Sequence, residues 1–177
     1  DANNPNELCD PQLLNKCFPI DFYIGWKEHT VGHLLYARFI HKFLYDQWFV
    51  SSPEPFQRLV HQGMVLGADG RKMSKRRWNI IDPMEVIEKY GADAVRTYLM
   101  FMGPVDQEKV WNDGALAGVN KFLWRIWKVA EQYVHNEKND LVERALHKAI
   151  KWLTDDMEAL KYNTAVSKLM ILLNSIE

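Results

Sequence analysis

The fold is decided by residues 59–77, which read LVHQGMVLGADGRKMSKRR. The first eight of them include the apolar residues Leu59, Val60, Met64, Val65 and Leu66 and predict a strand. Asp69-Gly70 predicts a tight turn. From Arg71 to Arg77, five of the seven residues are cations. Cations packed so closely repel one another unless an anion is present, so the stretch suits a polyphosphate whose charge changes during a reaction. A solvated basic turn or a targeting patch is the alternative interpretation.

The residues before this stretch predict one more strand and a helix. Residues 1–18 are polar and rich in Pro and Asn, which indicates an irregular segment. Residues 20–25 predict a short buried strand that ends in glycine. Apolar residues at three- and four-residue steps then predict a helix from residue 28 to about residue 47.

The residues after the cationic stretch predict two helices. Asp82 as N-cap, with Pro83 at the first helical position, predicts a helix start. Gly91 predicts the left-handed end of that helix. A second helix is expected to restart at Asp93 and to end before Gly103-Pro104.

From about residue 112 the pattern is helical only. Apolar residues recur at three- and four-residue steps in three successive segments, and the short links between them predict an antiparallel helical bundle. The first stripe comprises Leu116, Val119, Leu123, Ile126, Ala130 and Tyr133. The predicted fold class is therefore α/β followed by all-α, divided into residues 1–70, 71–111 and 112–177.

Composition restricts the possible functions. The chain of 177 residues has a formal net charge of −1, so a nucleic-acid partner would have to meet local patches rather than an overall basic field. Cys9 and Cys17 lack the number and spacing of a disulfide framework or a zinc motif, which predicts free thiols in a reducing compartment. No apolar run reaches the ~18 residues of a membrane span, and a cytoplasmic location is expected. The start without Met suggests a piece of a longer protein.

The central part of the chain resembles the signature-loop region of class I aminoacyl-tRNA synthetases. The KMSKS-type loop of that class appears as Lys72 to Arg76, so the resemblance implies that residues 71–111 are the signature loop and its connecting helices. Residues 71–78 are called the signature loop below. It is followed by two further matching strings, Asn79-Ile80-Ile81-Asp82-Pro83 and Tyr90-Gly91-Ala92-Asp93-Ala94-Val95-Arg96.

Other segments resemble the leucyl family of that class in particular. They are Asp21-Phe22-Tyr23-Ile24-Gly25, Glu28-His29, His33-Leu34-Leu35-Tyr36-Ala37-Arg38-Phe39, Met100-Phe101-Met102-Gly103-Pro104 and Tyr162-Asn163-Thr164-Ala165-Val166. The resemblance implies that residues 1–70 are the second half of a Rossmann-type catalytic domain and that residues 112–177 begin an anticodon-binding helical bundle. It also implies activation of leucine with ATP and Mg²⁺, transfer to tRNA(Leu), and a monomeric full-length enzyme. The family's first signature, a His-Ile-Gly-His type string, is not found, so the segment alone is expected not to aminoacylate.

The resemblance assigns a role to each matching site residue. Lys72 and Lys75 would meet the leaving pyrophosphate as point charges, and Ser74 would bond a phosphate or shape the loop. The residues implied for ATP and the adenylate are Gly25 beside the sugar, Glu28 on the ribose hydroxyls, and Gln62, Gly63, Met64 and Val65 on adenine through main-chain groups. The residues implied for the leucine pocket are His29 and His33.

Residue chemistry leaves alternatives for the two histidines. His29 and His33 stand four residues apart, so on a regular helix they share one face and could look into one pocket. A zinc site with Glu28 is an alternative, but no third ligand of suitable spacing follows. A histidine pair in the core is the other alternative.

The helical part offers a candidate tRNA surface. Lys121, Arg125 and Lys128 recur on one helix face and could meet phosphates, although a solvated amphipathic face would explain them equally. Trp124, Trp127 and Trp152 are interpreted as core or interdomain packing rather than as a platform for base stacking.

Three residues depart from the family pattern. Trp26 stands where the leucyl pattern has a second Gly, and Arg76 replaces the final Ser of the loop. Trp78 stands at a position that is normally Gly, where a positive φ would be strained. Two rival hypotheses therefore stay open, a non-catalytic synthetase-like binding module and another class I nucleotidyl transferase.

Overall fold

The computed structural model describes residues 3–7, 9–132 and 139–176. Contacts along the chain divide it into two compact units, Asp1–Gln62 and Gly63–Glu177. In the sequence, the first unit ends at Gln62 and the second begins at Gly63. The predicted domain boundaries after residues 70 and 111 stay predictions. None of the helices in the described ranges is long and apolar enough to cross a membrane.

The first unit contains a parallel βαβ arrangement. Helix α1 spans Pro11–Cys17, strand β1 Tyr23–Trp26, helix α2 Leu35–Asp46 and strand β2 Leu59–Gln62. Strands β1 and β2 pair in parallel, in the register that places Tyr23 opposite Leu59. Parallel neighbours need a crossover connection, which here contains α2. The α/β character predicted for this part of the chain is therefore present.

Helix α1 contradicts the prediction of an irregular segment over residues 1–18. The Asp10 side chain accepts a hydrogen bond of 2.8 Å from the Gln12 N–H, and Pro11 occupies the first turn. An acidic N-cap followed by proline satisfies one free N–H and presets φ, so it starts a helix in spite of the polar composition.

The helix predicted from residue 28 has an irregular beginning. A 3₁₀ turn covers Lys27–His29 and a π-helical turn covers Thr30–Leu34 before α2 starts. A 3₁₀ turn is tighter and a π-helical turn is wider than an α-helix. Residue spacing in this segment therefore does not translate into α-helical faces.

The second unit contains a short sheet and five helices among its described residues. Its strands are β3, Val65–Leu66, and β4, Lys109–Val110, which pair in parallel. Its helices are α3 (Pro83–Tyr90), α4 (Ala92–Phe101), α5 (Asp113–Gln132), α6 (Asp140–Glu158) and α7 (Tyr162–Ile176).

The single strand predicted over residues 59–66 is wrong. Strand β2 pairs with β1, whereas β3 pairs with β4, so the two halves belong to separate sheets. The Gly63 N–H donates to the Val105 carbonyl at 2.7 Å and the Lys109 N–H donates to the Met64 carbonyl at 3.0 Å. These contacts with residues 105–109 redirect the backbone at the point where the predicted strand breaks.

Helix α3 confirms the boundaries predicted from its caps. Asp82 accepts a hydrogen bond of 2.8 Å from the Met84 N–H, and the helix ends at Tyr90. Gly91 has the expected positive φ of 85°, but its ψ of 153° lies outside the left-handed helical region. That combination of angles is accessible essentially to glycine alone.

The core of the second unit joins α4 to the start of α5. Tyr98 is 1% exposed, its ring meets that of Trp111 edge to face at 5.0 Å, and its hydroxyl accepts a hydrogen bond of 2.8 Å from the Asn112 N–H. Leu116 and Val119 complete this cluster. The stripe predicted for α5 is thus buried at its beginning, whereas Tyr133 lies outside the described residues.

The three predicted helices after residue 112 are confirmed as α5, α6 and α7. Helix α7 packs against α4, α5 and α6. An ion pair of 2.6 Å between Lys168 of α7 and Asp156 of α6 lies in the last of these contacts. The antiparallel order of the bundle stays a prediction.

Candidate active site

The signature loop begins beside strand β3. Leu66 and Lys72 form an isolated antiparallel bridge, and the Gly67 N–H donates to the Arg71 carbonyl at 2.8 Å. The predicted tight turn is confirmed, because the Gly70 N–H donates back to the Gly67 carbonyl at 2.9 Å. The cationic stretch therefore leaves the sheet through a narrow hairpin-like connection.

Asn79 pins the signature loop from its far end. Its Oδ1 accepts from the Ser74 N–H at 2.9 Å, while its Nδ2 donates to the Lys72 carbonyl at 3.3 Å and to the Asp69 carboxylate at 3.1 and 3.2 Å. This hydrogen bond from Asn79, with a second from the Arg71 N–H, holds the pKa of Asp69 below its ordinary value. Sequence reasoning quoted Asn79 only as part of a motif and assigned it no role. Its place in that motif was the one available signal.

The loop directs its cations outward. Met73 is partly buried and packs against the core cluster of α4 and α5. Lys72 and Lys75 are exposed on either side of it, and Ser74 is half-buried. A hydrophobic anchor between two exposed ammonium groups places both charges at the surface, where an anionic ligand could reach them.

Trp78 has the left-handed conformation that its position predicted. Its φ is 54° and its ψ is 25°, directly after the 3₁₀ turn Lys75–Arg77. The left-handed helical region costs an L-residue roughly 1–2 kcal/mol. Because the Trp78 side chain is 93% exposed, packing offsets little of that cost.

Gly63 is required by the fold. A Cβ at this position would lie 1.8 Å from the Gln107 carbonyl oxygen. The Gly63 N–H and the Met64 carbonyl are already hydrogen bonded to Val105 and Lys109. Two of the main-chain groups expected to hold adenine are thus engaged within the chain, and the adenine role stays a prediction.

The two candidate histidines have different neighbours. The Tyr23 hydroxyl lies 2.7 Å from His33 Nε2, whereas the His29 ring lies 6.2 Å from the ring of Trp26. Tyr23 and Trp26 are three residues apart on β1, so they point to opposite faces of the strand. The argument that a four-residue spacing places both histidines on one helix face is therefore wrong, because this segment is a 3₁₀ turn followed by a π-helical turn.

A cavity of about 340 Å³ adjoins His33 in the first unit. Its lining is mainly apolar and includes Ile20, Tyr23, Ala37 and Phe56. The ring of Tyr23 stacks on that of Phe56 at 4.3 Å. A mainly apolar cavity with one hydrogen-bonded Tyr–His pair at its wall suits an aliphatic group carrying a polar end.

Gly25 and Glu28 lie at the strand-to-helix junction, as predicted. A Cβ on Gly25 would make only ordinary contact, 3.5 Å from the Tyr23 ring, so the fold itself does not demand glycine there. The Gly25 carbonyl lies 3.3 Å from His61 Nδ1. Glu28 is exposed in the 3₁₀ turn, where its carboxylate can reach a ligand.

The candidate site residues fall into two groups. Among the described residues, Gly25, Glu28, His29, His33 and Gln62 belong to the first compact unit. The second unit brings together Gly63, Met64 and Val65 with Lys72, Ser74 and Lys75, because β3 and the start of the signature loop are bridged. In the described ranges, no three His, Cys, Asp or Glu side chains come together in a way that could hold a metal ion.

The candidate tRNA cations do not form one uniform row. Lys121 and Lys128 are exposed. Arg125 is half-buried and donates to the Asn174 side chain at 2.6 Å. Lys121 and Arg125 both line a cavity of about 530 Å³ that also includes residues of α4 and α7.

None of the three tryptophans is buried in the core, so that part of the interpretation is wrong, whereas interdomain packing stays a prediction. Trp124 and Trp127 are each 61% exposed, whereas Trp111, a core residue of the same unit, is 6% exposed. Trp152 is 37% exposed and lies beneath the ammonium groups of Lys148 and Lys168, at 4.5 and 5.6 Å. The apolar stripe of α5 therefore does not extend to this face.

Comparison with known proteins places the chain in a class. Residues 7–112 match the family model of tRNA synthetases class I (I, L, M and V). The chain belongs to this family. A similar fold occurs in Mycobacterium tuberculosis methionyl-tRNA synthetase bound by methionyl-adenylate, with a TM-score of 0.67 and 22% identity over 98% of this chain and 36% of that one.

Within the class, the homologues are leucine–tRNA ligases. The chain is 45% identical to the enzyme of Chlorobaculum tepidum and 46% identical to that of Chlorobaculum parvum, over 99% of its own length and 23% of theirs. It superposes on the Agrobacterium radiobacter K84 agnB2 LeuRS in a ternary LeuRS-tRNA-LeuAMS complex with a TM-score of 0.85 and 33% identity, covering 94% of this chain and 24% of that one. The chain thus spans about a quarter of the length of these relatives.

Proposed function

We propose that the chain supplies the signature-loop part of a leucine–tRNA ligase, which activates leucine with ATP and transfers it to tRNA(Leu). The supporting observation is the signature loop itself. Lys72 and Lys75 project from a loop that Met73 anchors and Asn79 pins. The similarity to leucine–tRNA ligases over nearly the whole chain supports the choice of amino acid.

The proposed reaction has two steps. The leucine carboxylate attacks the α-phosphate of ATP, which gives leucyl-adenylate and releases pyrophosphate. A hydroxyl of the 3′-terminal adenosine of tRNA(Leu) then takes the leucyl group and AMP leaves. The leucine carboxylate is already ionised at neutral pH, so the first step needs no general base. Alignment of the reactants and stabilisation of spreading negative charge supply most of the acceleration.

The cations of the loop have the charge role in this proposal. The ammonium groups of Lys72 and Lys75 stabilise the developing pyrophosphate as mobile point charges. The backbone N–H of Ser74 is already bonded to Asn79, so its hydroxyl is the group left to reach a phosphate. Asn79 acts as a positioning residue, because it fixes the backbone at Lys72 and Ser74 together.

The first unit is proposed to hold the adenosine and leucine ends of the adenylate. Glu28 accepts hydrogen bonds from the ribose hydroxyls, and the absence of a side chain at Gly25 lets the backbone pass close to the sugar. His33, rather than His29, adjoins the cavity proposed for the leucine side chain. The βαβ arrangement is proposed as part of a Rossmann-type domain. Gln62 at the end of β2, and Gly63, Met64 and Val65 in the second unit, remain the residues proposed for adenine.

No group of three His, Cys, Asp or Glu side chains that could hold a metal ion occurs among the described residues. Magnesium commonly binds nucleotides through their phosphates and few protein carboxylates. Any Mg²⁺ is therefore proposed to arrive on ATP. A cytoplasmic location, a monomeric full-length enzyme, and tRNA contact through Lys121, Arg125 and Lys128 belong to the same proposal and rest on the family resemblance.

The test is a chimera. The segment of Chlorobaculum tepidum leucine–tRNA ligase that matches this chain is replaced by the chain, and leucine-dependent ATP–pyrophosphate exchange is measured. We expect exchange, and a fall in kcat of about 10²-fold or more for Lys72→Ala or Lys75→Ala with little change in KM for leucine. Lys89→Ala, an exposed cation on α3, is the matched control.

Two results would contradict the proposal. Lysine variants that exchange as fast as the unmodified chimera would remove the charge role from the loop. A folded chimera that binds tRNA but shows no leucine-dependent exchange would instead favour the non-catalytic binding module. Circular dichroism and the melting temperature of each chimera separate loss of chemistry from loss of folding.

A further inference from the structure

The surface between the start of α4 and the middle of α5 contains a cavity of about 450 Å³ that the proposed reaction does not use. Trp124 and Trp127 line one side of it, together with Leu123 and Asn120, and Asp93 lines the other. Cavities of this size accept small planar ligands or single groups of larger ones.

The two tryptophans form one aromatic surface. They lie three residues apart on α5, so they project from the same side of the helix. The Trp127 indole N–H donates to Glu131 Oε1 at 2.8 Å, which fixes the orientation of that ring. Both tryptophans remain 61% exposed, so a ligand can reach the two rings. Nucleobases stack on such aromatic surfaces whatever their sequence.

Polar groups surround the aromatic surface in the places that a nucleotide needs. The Asn120 side chain offers donors and an acceptor to a base edge, and the Asp93 carboxylate accepts from an exocyclic amino group. Lys121 and Lys128 directly follow Asn120 and Trp127 along α5, about 100° further round the helix. Both are exposed, so they can meet the phosphates on either side of a stacked base.

We propose that this Trp124–Trp127 cavity binds one unpaired nucleobase of an RNA, with Lys121 and Lys128 on the flanking phosphates. The inference rests on the proposed function, which makes the RNA a tRNA. If the cavity bound an apolar segment of a protein, its rim would be expected to be apolar throughout. The rim here carries a carboxylate and a carboxamide, and two exposed lysines follow Asn120 and Trp127 directly along α5. This combination of groups favours a nucleotide.

The experiment measures binding of the full 177-residue chain to a labelled single-stranded oligoribonucleotide and to its duplex by fluorescence anisotropy. We expect the single strand to bind more tightly. Trp124→Ala and Trp127→Ala should each weaken its binding by about 5- to 150-fold, and Trp124→Phe by less, because base stacking is worth about 1–3 kcal/mol. Trp48→Ala, which removes a side chain that is 93% exposed in the first unit, is the matched control.

The salt dependence tests the cations separately. The plot of log affinity against log salt should lose about 1.4 of its slope in a Lys121→Ala, Lys128→Ala double variant, since each phosphate contact on a single strand contributes about 0.7. The tryptophan variants should keep the slope of the unmodified chain.

The proposal is overturned if the tryptophan variants bind the single strand within twofold of the unmodified chain, or if the duplex binds equally well. Unchanged RNA affinity together with a lowered melting temperature would identify the cavity as a protein-packing surface instead. The assay contains neither leucine nor ATP, so it can fail while pyrophosphate exchange in the chimera succeeds, and the reverse.

Discussion

Gly63→Ala tests whether the fold or a nucleotide requires glycine at this position. The added Cβ would lie 1.8 Å from the Gln107 carbonyl oxygen, whereas ordinary contact begins near 3.4 Å, so the backbone must separate by about 3.4 − 1.8 = 1.6 Å. The atoms it meets are backbone rather than the end of a flexible side chain, so relaxation cannot be local. Overpacking of this kind costs about 1–3 kcal/mol.

The same displacement also affects two hydrogen bonds. They are the 2.7 Å bond from the Gly63 N–H to Val105 and the 3.0 Å bond from the Lys109 N–H to Met64. Each is worth about 1 kcal/mol. We therefore expect Gly63→Ala to lower the free energy of unfolding by about 3 kcal/mol, a large part of the total for a domain.

Urea unfolding followed by tryptophan fluorescence measures the effect. With a slope of about 2 kcal/mol per molar urea, the midpoint should fall by roughly 1.5 M. Amide hydrogen exchange at Lys109 and Trp111, whose N–H groups bond to Met64 and Leu66, should accelerate before exchange elsewhere.

Gly118→Ala is the matched control. Gly118 lies inside α5 with nothing within 4 Å of an added Cβ, so alanine there should stabilise by about 0.5–1 kcal/mol. If Gly63→Ala unfolds at the midpoint of the unmodified chain, or if both variants shift alike, the close approach of residues 105–108 is not what requires glycine. Loss of nucleotide binding at unchanged stability would support the adenine contact instead.

Three further changes have expected outcomes. Hydrogen bonds from Arg38 and a neighbouring lysine lower the pKa of Glu54 to about 2 from an ordinary value of 4.5. The stabilisation of the fold by this ion pair is therefore full above pH 4.5 and is lost as the pH falls towards 2. For side chains this exposed it amounts to about 0.5–1 kcal/mol. Glu54→Gln should remove this part of the pH dependence of the urea midpoint. A hydrogen bond from Lys168 lowers the pKa of Asp156 below its ordinary value of 3.8. Asp156→Asn should therefore lower the melting temperature at pH 7 more than Asp155→Asn does. The difference between the two melting temperatures should close below pH 3.8. Trp78→Gly should raise the urea midpoint, because it removes a left-handed cost of about 1–2 kcal/mol, less about 0.5–1 kcal/mol for the chain entropy of glycine; an unchanged or lower midpoint would contradict the strain.

Local signals in the sequence predicted what short-range geometry controls. The start of α3 at Asp82-Pro83 and its end before Gly91 follow from hydrogen bonds and φ angles within a few residues. The positive φ of Trp78 followed from its standing at a position that is normally glycine. Helix α1 has the same signal in Asp10-Pro11, but the polar composition of residues 1–18 indicates an irregular segment and obscures it.

Long-range contacts decided what the sequence did not predict. The break at Gly63 depends on residues 105–109, and β4 has only two residues, too few for an alternating pattern. The π-helical turn at Thr30–Leu34 has no distinct apolar period, so the four-residue spacing of His29 and His33 could not reveal that the α-helical face argument fails there. The exposure of Trp124 likewise depends on which side of α5 faces the core.

The contacts of Asn79 refine what the signature loop can do. Asn79 joins Ser74 and Lys72 through one side chain and holds Asp69 with the same amide group. These hydrogen bonds restrain the backbone between the three residues. In the proposed reaction, charge would therefore follow the leaving pyrophosphate mainly through the flexible side chains of the lysines. An unrestrained loop would lose backbone conformational entropy each time it became ordered around a ligand. A restrained loop with mobile ammonium groups would lose only side-chain entropy. The cations and Asn79 therefore belong to one structural unit. Composition reveals the cations but not the hydrogen bonds of Asn79.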